Sequence, residues 1–339
     1  MLERSALPRV PASAHQFTFD AQAPVALRVD PGDTVVVETL DCFSGKLTQD
    51  SPPLDGDRAV LDHIGGRYNP VSRPIYVRGA EPGDTLAVDI LDIALGARQG
   101  YAVTHVARDW ADDFGGSGFA DEVASTTVFA AVDGNSLAVS LGGRTVQCRA
   151  RPMIGTIGTA PAHGGTSSLY YAPTHGGNLD CPMIRPGATV LLPVNVEGAL
   201  LSLGDVHALM GDAEVTGTAL ETSADVTLRV RLEKKGRATL TMPRILDRDT
   251  IGSVGCNSRV SIHENIRIAV LDLIAFLSDT HAMPPAVALQ LVNLFGKVVV
   301  NQSVIVAENG WSSVLVSVHN SDVERFAEKG LPARDRKQA

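Results

Sequence analysis

The sequence is poor in the features that mark several broad functional classes. Aromatic residues make up 5% of it and charged residues 20%; beside 44% hydrophobic content, that charge is too low for a mainly disordered chain. No stretch approaches the ~18 uninterrupted apolar residues of a membrane span. Met1 to His15 carries Arg4, Pro8, Arg9 and Pro11 without an apolar run of signal-peptide length. Lys and Arg nowhere form a block, and 38 acidic against 29 basic side chains give a net charge of -9. Nucleic acid and anionic membrane both require a basic footprint, so neither is expected as a partner. The cysteines, Cys42, Cys148, Cys181 and Cys256, lie far apart with no C-x-x-C pair, which argues against a disulfide framework and a thiolate zinc site. These absences leave a cytoplasmic protein with reduced thiols that acts on a small molecule.

Turns, by contrast, are plentiful, with 32 Gly and 19 Pro. Val29-Asp30-Pro31-Gly32-Asp33-Thr34 opens a β-branched run, and the phrase returns at Ala80-Glu81-Pro82-Gly83-Asp84-Thr85 and, more loosely, at Ile184-Arg185-Pro186-Gly187-Ala188-Thr189. Proline presets φ for the second turn position and glycine supplies positive φ at the third, so each phrase predicts a type II turn entering a strand. Strands are expected over 87–93, 136–141, 190–196, 215–220, 226–232 and 238–242. The alternation in Val226-Thr227-Leu228-Arg229-Val230-Arg231-Leu232 is the clearest. Residues 96–126, with Gly115-Gly116-Ser117-Gly118, read as a long loop of the kind that is often functional.

Helical signals come late. Ser261-Ile262-His263-Glu264 has the form of a capping box, and Ile266, Ala269, Val270, Leu273, Ile274 and Leu277 follow at helical spacing. Pro284-Pro285 opens a second helix that ends at Gly296, and Lys297 to Ala307 returns to strand. The expected fold is therefore mainly β, a sandwich or barrel-like set of antiparallel sheets with a C-terminal α+β portion. The length fits about two domains of roughly 150 residues. The expected division is a flexible segment over 1–14, an N-terminal β domain over 15–149, a C-terminal α+β domain with the site motifs over 150–318, and a charged tail over 319–339.

Chemistry concentrates in Gly204-Asp205-Val206-His207-Ala208-Leu209-Met210-Gly211-Asp212-Ala213-Glu214-Val215-Thr216-Gly217-Thr218. A hairpin turning at 210–213 would put Asp205, His207, Glu214, Thr216 and Thr218 on one polar face. An imidazole among carboxylates suits a divalent ion, although a solvated hairpin would show the same pattern. In His175-Gly176-Gly177-Asn178-Leu179-Asp180 the paired glycines let backbone N–H groups approach a ligand, or simply form a turn. Glu38 and Asp41 end the first Pro-Gly strand, where an acid is usually a cap. Cys42 and Cys181 each follow an aspartate, but no local cation marks either as a reactive thiolate. His63 sits near Gly65-Gly66, while the remaining histidines have no company that singles them out.

Together these residues resemble the acetamidase/formamidase family. The matching runs are Asn69-Pro70-Val71, Gly79 to Asp84, Pro152-Met153-Ile154-Gly155-Thr156-Ile157-Gly158, His175 to Asp180, Gly204 to His207 and Met210 to Thr218, in order from about residue 16 to 318. Departures are Ala213, where the family's G-D-G-E phrase has its second Gly, Lys46 in place of Gln, and Gly296 in place of Asp.

The resemblance implies hydrolysis of a short linear amide, of formamide or acetamide type, or of a small lactam, with a divalent metal, zinc or alternatively calcium, as cofactor. Metal ligands are expected among His207, Asp180, Asp205 and His175. Glu214 is the expected general base and then acid, with Asp212 and Asp41 as the other catalytic carboxylates. Gly176, Gly177 and Asn178 are the expected substrate and oxyanion residues, and a homo-oligomer is the expected state. A small-molecule-binding β-sandwich with calcium or no metal is the alternative. A cupin-like oxygen-dependent enzyme fits less well because an H-x-H pair is absent.

Overall fold

The computed structural model describes residues 6–108, 124–235, 240–304 and 311–327. Two large sheets organise them. The first runs, in spatial order, Arg9–Val10, Thr34–Thr39, Ala224–Glu233, Thr85–Leu95, Thr189–Pro193, Arg244–Leu246, Thr250–Gly255, Trp311–His319 and Lys297–Val304. The main path of the second runs Arg144–Arg149, Ser136–Leu141, Thr126–Asp133, Tyr101–Val106, Leu220–Thr222, Ser202–Leu209, Met153–Gly158, Gly176–Asn178 and Tyr171–Ala172. Pairing along both paths is antiparallel except for Arg9–Val10, which lies parallel to Val36–Val37. The fold is mainly β, as expected.

The three Pro-Gly phrases behave as turns. Gly32, Gly83 and Gly187 take φ of 103°, 95° and 94°, and each releases the chain into a strand of the first sheet. Apolar side chains of both sheets then share one core: Val35, Leu86, Val190 and Val226 from the first, Ile154, Ile157, Leu203 and Val206 from the second. Each such side chain contributes about 1.5–3 kcal/mol on full burial, so the sheets are held face to face by this layer. Its members come from both sides of residue 149.

The late helices form where the periodicity places them. Ile262–His281 is capped by Ser261, whose Oγ accepts the Glu264 N–H at 3.3 Å. Pro285–Phe295 follows. Ala269, Leu273 and Leu277 of the first helix and Leu291 of the second pack with Val314, Val316 and Val318 of the first sheet.

Two local expectations are corrected. Residues 205–218 do not form a hairpin turning at 210–213: Ser202–Leu209 pairs instead with Leu220–Thr222. The intervening chain is a short 3₁₀ turn over Asp212–Glu214 and not a strand over 215–220. The 96–126 loop is interrupted by the strand Tyr101–Val106, and its Gly115–Gly118 stretch lies outside the described residues, as does part of the strand expected over 238–242.

Candidate active site

Four adjacent strands of the second sheet, Leu220–Thr222, Ser202–Leu209, Met153–Gly158 and Gly176–Asn178, carry Asp205, His207 and Asn178, with His175 and Asp180 just beyond the ends of the last. The backbone of this sheet is irregular at Asp205, and nearby its register shifts between His207 and Leu209. Ile154 pairs with Val206 and Ile157 with Leu203, but between these pairs Asp205 adopts φ 57° opposite Gly155. That left-handed residue re-phases the strand, so Leu203 and Val206 both reach the shared core although they are three residues apart. The Asp205 carboxylate is freed to turn the other way. Gly155 makes room for it: a Cβ there would lie 2.5 Å from Asp180 Oδ1 and 2.6 Å from Asp205 Oδ2.

His207 is the centre of the resulting cluster. Its Nε2 lies 3.4 Å from Glu221 Oε1, 3.5 Å from Asp205 Oδ1, 3.7 Å from Asp180 Oδ1 and 3.9 Å from Glu214 Oε1. All five side chains are buried, the most exposed being Glu214 at 7%. Burial raises the Asp180 and Glu221 carboxyls well above the ordinary range, and their acidic neighbours add to the effect. Glu214 is pushed up to about 7 by burial, against the pull of His207. For His207 burial acts in the other direction, but Glu221 and Asp205 outweigh it and hold the imidazole well above its usual value.

An imidazole cannot neutralise four carboxylates, and uncompensated buried charge is costly. The donor chemistry suits a divalent cation. Ligand atoms of Asp180, Asp205 and His207 lie within 4.8 Å of one another, as do those of His207, Glu214 and Glu221 and those of Cys42, Asp205 and Glu221. Among the described residues, both ring nitrogens of His207, Asp180 Oδ1 and Glu221 Oε2 are buried without a hydrogen-bond partner. These open valences fit a metal.

A ring of amides and hydroxyls fixes the carboxylates. Asn69 Nδ2 donates to Asp205 Oδ2 and Asn178 Oδ1, each at 3.2 Å. Thr156 Oγ1 donates to the same two oxygens at 3.1 and 2.5 Å. Gln302 Nε2 bridges Asp180 Oδ2 at 2.5 Å and Glu214 Oε2 at 3.4 Å. The strand bulges between Val300 and Gln302, leaving Asn301 as its extra residue, buried with neither amide atom bonded among the described residues.

Residues 12–169 and 171–261 match the Acetamidase/Formamidase family. The chain belongs to that family. A crystal structure of acetamidase from Bacillus halodurans is similar over 94% of this chain and 100% of its own, with a TM-score of 0.80 and 30% identity. An acetamidase structure from Yersinia enterocolitica shares a TM-score of 0.80 and 26% identity over 93% of this chain and 92% of its own. The formamidase of Methylophilus methylotrophus is 27% identical over 258 residues, 63% of this chain and 62% of that protein. The chain spans a little under two thirds of the length of the curated relatives it matches.

Within this acetamidase/formamidase fold the expected residues separate. Asp180, Asp205, His207 and Glu214 converge. Asp41 is fully buried nearby, with Oδ1 accepting the Gly45 N–H at 2.7 Å and Oδ2 unpartnered among the described residues; burial pushes it up to about 6, and Asp205 adds to the rise. Asp212 is exposed on the 3₁₀ turn. His175 is buried beside Phe19, its ring centroid 5.8 Å away, and belongs to none of the three candidate ligand groups; burial pushes it down to about 4. Gly176 and Gly177 lie in a strand flanked on both edges, where a Cβ on Gly176 would come within 2.5 Å of Ile157 O. Their backbone therefore packs closely within the sheet, while Asn178 sends its side chain to Asn69 and Thr156.

Sequence reasoning gave no role to Glu221, Thr156, Asn69 or Gln302. The Asn301-Gln302 pair inside a β-branched run was a legible signal, since carboxamides are unusual company there. Burial also weakens the thiol reading: Cys42 is raised well above its ordinary pKa and Cys181 up to about 12. The departure at Ala213 has a visible consequence, because this residue takes φ 73°, which glycine would adopt without steric cost.

Proposed function

We propose that the protein is an amidohydrolase that converts a short linear amide or small lactam to a carboxylate and ammonia or amine with the aid of a divalent ion. Zinc is our first choice of metal, with calcium the other candidate. The observation that carries this reading is the buried imidazole of His207 ringed by Asp180, Asp205, Glu214 and Glu221. Family membership and relatives named acetamidase or formamidase support the reaction class. We read His207, Asp180 and Asp205 as ligands, with Glu221 as a further ligand from the neighbouring strand.

A bound divalent ion would polarise the amide carbonyl and acidify water, which removes the first obstacle to amide hydrolysis. The second is the leaving nitrogen, which departs poorly without a proton. Glu214 suits that task, since a carboxyl near 7 can accept a proton from attacking water and return it to nitrogen as the C–N bond breaks. Asp41, raised to about 6, is the reserve proton acceptor. Asn178 Oδ1 is occupied by Asn69 and Thr156, which leaves its amide N–H groups to donate to the substrate carbonyl. A cytoplasmic setting completes the reading, consistent with four free cysteines. No helix among the described residues is long and apolar enough to cross a membrane.

The test is ammonia release from formamide, acetamide, longer amides and lactams, before and after chelation and with Glu214→Gln. Chelation should abolish turnover. Glu214→Gln should slow it by ~10²- to 10⁴-fold with bound metal retained. Full activity of the metal-free protein would refute metal-assisted hydrolysis.

A further inference from the structure

A second feature adjoins the acid cluster and has the opposite character. A cavity of about 310 Å³ is lined by His15, Phe17, Leu40, Ser44, Lys46 and Arg67, with Ile64 and Gly65 closing it. Its lining holds two permanent cations and no acid, in a chain whose net charge is -9. Neither Lys46 nor Arg67 has a carboxylate partner among the described residues: the lysine Nζ donates to Ile64 O at 2.6 Å, and the guanidinium lies 5.5 Å from the Phe17 ring centroid. One backbone contact leaves an ammonium group further N–H donors.

Lys46 and Arg67 are both exposed at the mouth of the cavity, and the Lys46 ammonium lies over Gly65. Gly65 takes φ 91°, and a Cβ on it would come within 2.7 Å of Lys46 Nζ. Ser44 is a second marker. It adopts φ 61°, uncommon for a residue with a side chain, and its Oγ is buried without a partner among the described residues.

Two chain segments join this cavity to the cluster. Leu40, Ser44 and Lys46 face the cavity, while between them Asp41 holds the Gly45 N–H and the Cys42 thiol sits within 4.8 Å of Asp205 and Glu221 ligand atoms. Gly65 and Arg67 face the cavity, while Asn69 donates to Asp205 at 3.2 Å. Along both segments a residue lining the cavity stands two positions from one that touches the cluster, Ser44 from Cys42 and Arg67 from Asn69.

We propose that this cavity seats a carboxylate of the substrate, so that the preferred substrates are short amides bearing a second, anionic end, such as the monoamide of a dicarboxylic acid. Lys46 and Arg67 are then specificity-determining residues, with the Ser44 hydroxyl as a neutral donor between them and the apolar Phe17 and Leu40 flanking the linking methylenes. The placement also answers an electrostatic problem, because an anionic substrate approaching four carboxylates needs compensating charge at its far end. This assignment rests on the amidohydrolase reading above.

The test compares kcat/KM for succinamate with that for butyramide and levulinamide, uncharged amides of similar length, on the metal-loaded protein. Succinamate should be preferred by ~10-fold or more. Lys46→Gln and Arg67→Gln should each erase ~10- to 100-fold of that preference through KM, the usual worth of a charge-assisted hydrogen bond. Lys46→Arg should retain it. Arg58→Gln, which removes a surface cation paired with Asp62 on the helix Asp57–Ile64, should leave the ratio unchanged. A wild-type protein that favours the neutral amides, or an undiminished ratio in both Gln variants, would overturn the assignment. Should no amide be hydrolysed, the amidohydrolase reading fails on its own, and calorimetric titration with succinate decides the cavity. Binding weakened ~10-fold in Lys46→Gln supports it, whereas no binding or equal binding rejects it.

Discussion

His207 Nε2 and Glu221 Oε1 lie 3.4 Å apart across one rung of the second sheet, residue 221 standing directly opposite residue 207. Side chains opposite one another on antiparallel strands have Cβ atoms about 5 Å apart, so the ladder itself sets this distance. Glu221 is 1% exposed and His207 fully buried. Such a pair surrounded by further acids favours a compensating cation or protonation of its carboxyls, and on the metal-binding reading the register of these two strands sets metal affinity.

Glu221→Gln tests that link. The amide keeps the size of the side chain but loses the anionic ligand, so affinity for a divalent ion should fall by ~10²-fold. The metal-free variant should be no less stable than metal-free wild type, because one buried like charge has been removed. Metal stoichiometry after dialysis and thermal melts of both forms provide the measurement. A variant that binds metal as wild type would show that Glu221 is only a neighbour of the site.

Gly155→Ala probes the opening in the sheet. The new Cβ would stand 2.5 Å from Asp180 Oδ1 and 2.6 Å from Asp205 Oδ2, with Asp205 O at 2.9 Å. Carboxylate ends can shift more readily than a strand, so the displacement falls mainly on the ligands. We expect retained folding with a loss of about 1–3 kcal/mol from overpacking, together with a much larger proportional loss of bound metal. Normal metal content at normal stability would mean that the carboxylates do not need the space that Gly155 leaves.

The sequence disclosed the sheet entries more clearly than the site. Pro31-Gly32, Pro82-Gly83 and Pro186-Gly187 act through local dihedral preferences, and the capping box at Ser261 through one short hydrogen bond; both are properties of a few consecutive residues. Asp205 and His207 were legible as a pair because they sit two apart in one strand. Glu221 was not, since its approach depends on Ser202–Leu209 pairing with Leu220–Thr222 after a 3₁₀ excursion. A pattern of alternating residues predicted a tight hairpin there. The left-handed Ala213 and Glu214 turn the chain off that path and deliver Glu214 to the cluster from the side, against Gln302. Asp212, adjacent in sequence and similar in chemistry, is left in solvent.

The acid dependence of the stability difference between wild type and Asp89→Asn should report on the first sheet, since the raised carboxyls of the site titrate alike in both proteins. Arg231 grips Asp89 through Nε at 2.9 Å and Nη2 at 2.8 Å, and Thr189 Oγ1 adds a third bond at 2.7 Å. Burial pushes this carboxyl up, but the Arg231 fork and the Thr189 hydroxyl more than offset it and hold Asp89 below its ordinary value of 3.8. A depressed folded-state pKa stabilises the protein above the unfolded value and loses that contribution as pH falls through the folded one. Replacing Asp89 by Asn should therefore cost about 1–3 kcal/mol at neutral pH, and the gap to wild type should close in acid, below 3.8. Urea unfolding of both proteins at neutral pH and near pH 3 measures it. Asp84 and Asp225 are lowered in the same way and persist in both proteins, so the difference between the two curves isolates Asp89. A gap that stays constant across this range would mean that the Arg231 fork stabilises the sheet by packing alone, with no contribution from the charge on Asp89.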